Sequence, residues 1–172
     1  MRFPDDPYLD YGLIDEGIKY LKFKVDEQDF GVELEKIIEI TGNQEIIFIP
    51  ELPTYSKGII NLRGKIIPII DMRLRLKKDE LMTTNCMYIV VTEIKDLVVG
   101  FVVDRVDDIV SLEKSKISPP PRVTIEYSDY FVSGVGELEG KIITLLDLEK
   151  LLTDKDEVLI DELINGFDCT IM

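Results

Sequence analysis

The chain has 172 residues, 45% of them hydrophobic, a net charge of −14 and no histidine. That length holds one domain of ordinary size or two small ones sharing an interface. The negative charge argues against a nucleic-acid binder, whose affinity depends on clustered Lys and Arg releasing counterions, and the lack of histidine removes Ser-His-Asp triads, Cys-His nucleophiles, histidine metal sites and a phosphorelay on the chain itself.

No apolar run reaches the roughly eighteen residues of a membrane span, and the start Met1-Arg-Phe-Pro-Asp-Asp6 lacks a cationic region followed by an apolar one. A cytoplasmic protein without direct membrane insertion is expected. The acidity sits mainly at the ends: residues 1–16 hold five acids against Arg2, and 154–172 hold six against Lys155. Residues 1–17 therefore read as an acidic amino-terminal extension, 18–152 as the folded part and 153–172 as an acidic helix or tail. Cys86 and Cys169 follow no metal or redox spacing and are expected to be reduced.

Along the chain, Ile18–Val25 alternates apolar and charged residues as a half-buried strand does, and Asp26–Asp29 turns it into a second strand from Phe30. The chain then turns through 34–40, which holds Ile37 and Glu39. Ile46, Ile47 and Phe48 form a short apolar edge before Pro50 and Pro53. Next comes Gly58-Ile-Ile-Asn-Leu-Arg-Gly-Lys-Ile-Ile-Pro-Ile-Ile-Asp71, an apolar run into a Leu-Xaa-Gly-Lys turn, a second run out of it and a closing aspartate. Met87–Val91 leads through a turn at Glu93–Asp96 into Leu97–Val103, a second copy of the first hairpin in which Gly100 answers Gly31. Asp104–Val110 repeats the turn at 34–40, placing Ile109 as the equivalent of Ile37. The acids there, Asp104, Asp107 and Asp108, suit turns and exposed strand faces, because a hard-cation site needs oxygens converging from a loop with a sharp glycine turn. Pro119-Pro120-Pro121 is a stiff extended connector or, less favoured, an SH3 ligand. Gly134-Val-Gly-Glu-Leu-Glu-Gly-Lys-Ile-Ile-Thr-Leu-Leu-Asp147 then repeats the 58–71 block at constant offset. Residues 148–152 and 158–164 have helical spacing.

The chain is thus a tandem duplication of short strands. Glycines, leucines, isoleucines and the closing aspartates recur, whereas Arg63 becomes Glu139 and Pro68 becomes Thr144. A hairpin needing only solubility has no reason to reverse charge between copies.

Tyr20-Leu-Lys-Phe23, Phe30–Ile40, Asn61-Leu-Arg-Gly-Lys-Ile-Ile-Pro68, Val102-Val-Asp104 and Tyr130-Phe-Val-Ser-Gly-Val-Gly136 together resemble the CheW chemotaxis coupling proteins over about residues 18–152. The resemblance implies an all-β fold with short helices: two SH3-like five-stranded β-barrels packed together, their halves intertwined within 18–152. It implies a non-enzymatic adaptor without cofactor, coupling methyl-accepting chemoreceptors to the CheA histidine kinase; the alternative is a scaffold of the same fold in a non-flagellar chemosensory system such as type IV pilus control. An enzyme using paired carboxylates is the third class, and it needs a pocket. By position, the resemblance places the receptor tip near Ile37, Glu39, Arg63 and Ile109, where the Arg63 guanidinium would pair with Glu39, with Met87 and Val32 as weaker candidates, and the kinase regulatory domain at Ile46, Ile47, Phe48 and Val123.

Overall fold

The alternating Ile18–Val25 segment forms strand β1, which hairpins onto β2 (Gln28–Glu33). A single 3-10 turn at Leu34–Lys36 leads to β3 (Ile37–Gly42), and the first Gly-Lys block forms β4 (Ser56–Leu62) and β5 (Lys65–Asp71). A helical turn α1 (Met72–Arg75) precedes β6 (Tyr88–Ile94), β7 (Leu97–Val103) and β8 (Arg105–Leu112). The two-residue β9 (Ile117–Ser118), the hairpin β10 (Val132–Leu138) and β11 (Lys141–Leu146), and the helical turn α2 (Leu148–Leu151) complete the order. This computed structural model describes residues 17–42, 44–50, 55–76, 88–120, 131–152, 157 and 161–162. The expected helix at 158–164 is represented there by helical residues 157 and 161–162; Cys86, Cys169, Pro53 and Pro121 lie outside the described residues.

The strands make a six-stranded sheet, β8-β1-β2-β11-β10-β9, and a five-stranded one, β3-β6-β7-β5-β4. Matching the repeats makes β1, β2, β3, β4 and β5 the counterparts of β6, β7, β8, β10 and β11. Each sheet therefore takes its first hairpin from one repeat and its other strands from the other. The β1–β8 and β6–β3 pairings are equivalent, as are the parallel contacts of β2 with β11 and β7 with β5. The sixth strand is the short β9, paired only at Val135↔Ser118 and Gly136↔Ile117. At the β5–β7 contact a Cβ on Gly100 would stand 2.7 Å from Ile69 Cδ1 and 2.9 Å from Ile89 Cγ2. That crowding explains the glycine.

Each sheet curls round its own apolar filling. Ile60, Leu62, Ile67, Ile69, Ile89, Val91 and Val102 fill the five-stranded barrel, and Tyr20, Val110, Leu112, Ile143 and Leu145 fill the six-stranded one. The largest cluster lies between them: Leu21, Phe23, Val25, Phe30 and Val32 from one sheet meet Val90, Ile94, Val99, Phe101 and Val103 from the other. Strands β5 and β7 are thus buried on both faces, so they read as near-continuous Ile and Val runs without alternation.

Charged groups tie the seam. The buried Arg73 guanidinium pairs with Asp104 at 2.6 Å and with Asp26 at 3.3 Å, and Asp104 also accepts from the Asp26 backbone N–H at 2.7 Å. The closing aspartates cap the helical turns: Asp71 accepts from Arg73 N at 2.9 Å and Asp147 from Glu149 N at 3.0 Å. Arg75 lies between the repeat-related rings of Tyr55 and Phe131, 5.1 and 5.0 Å from their centroids, and its Nε donates to the carbonyl of its own counterpart, Leu151, at 2.6 Å. Burial pushes the Arg75 pKa down, while the ring faces and the carbonyl receive its charge.

Two expectations are corrected. The first-type hairpins close on two residues, Asp26-Glu27 and Lys95-Asp96, rather than four, since all four residues adopt positive φ (49° to 70°) as a type I′ turn requires. The register also makes Val106, opposite Phe23, the counterpart of Ile37, opposite Thr92; Ile109 answers Ile40, because both edge strands carry a bulge at the same place.

Candidate functional site at the mouth of the five-stranded barrel

Arg63 and Gly64 form the tip of the β4–β5 hairpin with φ of 53° and 88°. Glycine is at home there, but a non-glycine residue in the left-handed region costs about 1–2 kcal/mol. Asn and Asp are the favoured non-glycine residues at such a turn. The tip is clamped from within: the Asn61 side-chain oxygen accepts from the Gly64 N–H at 2.9 Å. Across the barrel mouth, the bulge between Ile37 and Glu39 in β3 turns Glu39 towards the tip, where the Arg63 guanidinium donates to its carboxylate.

Beneath this pair lies an open cleft of about 280 Å³, lined by the apolar residues Ile38, Leu62, Ile67, Val91 and Val98 and by Glu39, Arg63 and Lys65. Arg63 is 71% exposed, and such a surface pair contributes about 0–1 kcal/mol. The pair therefore returns no more than the backbone strain costs, so stability does not account for an arginine at this tip.

The six-stranded barrel offers a contrast in chemistry. Its hairpin tip carries Glu139, also left-handed (φ 52°), and the register places Asp108 where the other barrel has Glu39. Two acids stand where the first barrel has opposite charges. A different cleft, of about 290 Å³, borders that tip, lined by Ser111, Leu112, Glu113, Lys116, Glu137, Leu138, Glu139 and Gly140.

Of the residues singled out in the sequence, Glu39 and Arg63 come together. Ile37 is half-buried against the inter-barrel core, and Ile109 stands 55% exposed on the edge strand β8, opposite buried Leu21. Val32 is 1% exposed within that core, so its side chain offers no surface, which corrects the expectation: β2 is a central strand covered on both faces. Met87 and Val123 lie outside the described residues. On the kinase-side list, Ile46 is partly buried against the five-stranded barrel's filling, and Ile47 forms a bridge with Ile59, its N–H donating at 2.8 Å and its carbonyl accepting at 2.9 Å. Phe48 beside it is 71% exposed.

Sequence reading missed Ile38 and Asn61. Ile38 is an exposed apolar residue of the mouth, and a strict two-residue alternation through Ile37-Ile-Glu-Ile40 gives no sign of the bulge that puts it there. A side-chain clamp on a turn amide has a recognisable signal, an Asn three residues before the glycine. Among the described residues no group of three or more Cys, Asp or Glu is gathered to hold a metal, and no helix is long and apolar enough to cross a membrane.

A family model described as "CheW-like domain" matches residues 19–156. The chemotaxis protein CheW of Klebsiella aerogenes is 32% identical over 145 residues, spanning 84% of this chain and 87% of that relative. The chemotaxis protein CheW of Rhizobium meliloti is 33% identical over 144 residues, 84% of this chain and 93% of that one. Among solved structures, the scaffolding protein TtCheW from Thermoanaerobacter tengcongensis superposes with a TM-score of 0.75 at 31% identity, covering 81% of this chain and 95% of that chain. With its fold and its sequence both matched over most of the chain, this protein belongs to the CheW-like domain family.

Proposed function

We propose that this chain is a non-enzymatic coupling scaffold of chemotaxis, joining the signalling tips of chemoreceptors to the regulatory domain of a CheA-type histidine kinase in the cytoplasm. The observation that carries the reading is the mouth of the five-stranded barrel: a strained, exposed Arg63 paired with Glu39 over an apolar cleft, in a repeat whose other copy has two acids there. The barrels are filled with side chains, so the working surfaces are mouths, edges and rims. An amphipathic receptor hairpin presents apolar residues beside charged ones, and the mouth offers Ile38 and Val98 beside Glu39, Arg63 and Lys65. Ile109 and the half-buried Ile37 extend the receptor side. The edge at Ile46, Ile47 and Phe48 is assigned to the kinase, with Phe48 as the apolar anchor because it is the most exposed large hydrophobic residue described.

The reading is tested by co-sedimentation of the full chain with receptor signalling fragments and a kinase regulatory domain. The wild type should bring the two into one pellet. Arg63→Glu should weaken receptor coupling by about 1–3 kcal/mol without unfolding the protein. Phe48→Ser should release the kinase and leave the receptor bound. If Arg63→Glu sediments as the wild type does, Arg63 is not part of the site.

A further inference from the structure

We infer that Asn61 is a positioning residue for Arg63, acting through the Gly64 amide; the inference rests on the reading of the barrel mouth just given. Asn61 lies on β4, exposed, paired in register with Ile66 of β5. Its side-chain oxygen reaches past Leu62 and Arg63 to accept from the Gly64 N–H at 2.9 Å. Arg63 stands inside the loop this bond closes. In a two-residue type I′ turn that amide points outward to solvent, so the strands' own ladder leaves it without a partner. The clamp ties the second turn residue back to the strand and so restricts the backbone of the first, the residue whose left-handed conformation aims the guanidinium across the mouth at Glu39. The second hairpin repeats the turn geometry with Glu137 in Asn61's place and Glu139 in Arg63's. The hydrogen bond described at the tip thus belongs to the copy that carries the arginine.

A surface hydrogen bond of this kind does not hold a barrel together. Asn61 is exposed and contributes nothing to the fillings of either barrel, and the turn keeps its register from the Leu62↔Lys65 and Asn61↔Ile66 pairs. What the clamp supplies is preorganisation: a long, exposed arginine is held near one direction before a partner arrives, and the ordering cost is met within the free protein.

The test uses the full chain with Asn61→Ala, Asn61→Asp, Arg63→Ala and the double variant Asn61→Ala/Arg63→Ala. Asn61→Ala should exchange the Gly64 amide faster, melt within about 2–4 °C of the wild type, and bind a receptor signalling fragment about 3- to 10-fold more weakly, the span expected when one long side chain must be ordered on binding. Asn61→Asp keeps the acceptor and should restore both exchange protection and binding. In the Arg63→Ala background, Asn61→Ala should cause no further loss. An equal loss with and without Arg63, or binding unchanged by Asn61→Ala, overturns the inference. Should the wild type bind no receptor fragment, the functional reading falls on that result, and a denaturation double-mutant cycle between Arg63 and Glu39 still decides about Asn61. A coupling that disappears on Asn61→Ala supports the positioning role, and one that persists overturns it.

Discussion

Arg63 occupies a conformation that an asparagine or glycine would adopt at lower cost, in a pair too exposed to repay it. Arg63→Asn should therefore hold or raise the melting temperature, by up to about 2–4 °C if the relief is near 1 kcal/mol, while receptor binding falls. A melting curve and a pull-down on one variant check both halves. Arg63 was legible in the sequence because the charge reverses between copies at this one turn, and its partner Glu39 came from the resemblance. The burial of Val32 was not legible: Phe30-Gly-Val32 is a short unbroken apolar run, and its letters do not say which face meets water. Glu33 supplies a pH test. Burial, aided by the nearby Glu35 charge, pushes its pKa up, so charged Glu33 costs stability near neutrality. That penalty fades as pH falls through the raised value and then the unfolded one, the reverse of the usual salt-bridged carboxylate. Glu33→Gln should melt higher than the wild type at pH 7 and converge with it in acid.

Among the elements, the hairpins separate two roles for glycine. Gly64 and Gly140 have φ of 88° and 80° with open space where a Cβ would go, so substitution there costs backbone strain alone. Gly58, at φ 132°, would put a Cβ 2.0 Å from the Ile47 carbonyl oxygen, in the bulge where the 44–50 segment bridges to β4. Gly58→Ala should cost more than Gly64→Ala in a denaturation experiment, and it should also disturb the edge carrying Phe48. The seam depends on Arg73. Arg73→Ala leaves Asp104 and Asp26 facing one another across a partly buried gap and should cost about 3 kcal/mol. After β11 the position of Arg73 is taken by Glu149, which pairs instead with Lys36 at 3.2 Å in a more exposed setting, and breaking that contact should cost a few tenths at most. The strands and their order along the chain were readable from the repeat, since turn residues and apolar runs recur at an offset that is constant within each block. The two-residue turns were obscured because their positive-φ positions hold Asp, Glu and Lys where Asn-Gly would have announced them.

For the whole molecule, the repeat boundary in the sequence and the barrel boundary in space do not coincide. A duplication suggests one barrel per copy, but each hairpin of the first type pairs with the other copy's strands. The letters carry no trace of this exchange, because the equivalent interfaces present equivalent residues. Only the shared core shows why it is favourable: the exchange brings apolar residues of both sheets together between the barrels. The five strands of one barrel are contiguous from Ile37 to Val103, yet a fragment of that span would expose its side of the shared core to water. It should be aggregated or molten, with poorly dispersed amide resonances, whereas the full chain should give a single cooperative melt.

The same crossed connectivity gives the protein an order of birth. The β1–β2 hairpin leaves the ribosome first, with β1 open along the edge that β8 later takes and β2 along the edge that β11 takes. The five-stranded barrel is complete once Val103 has emerged, so it closes while the opening hairpin is still waiting, and its apolar outer face is the shelter on which that hairpin rests. A chain cut short between β7 and β11 therefore carries one finished barrel and an unpaired strand edge, a species primed to stick to its neighbours.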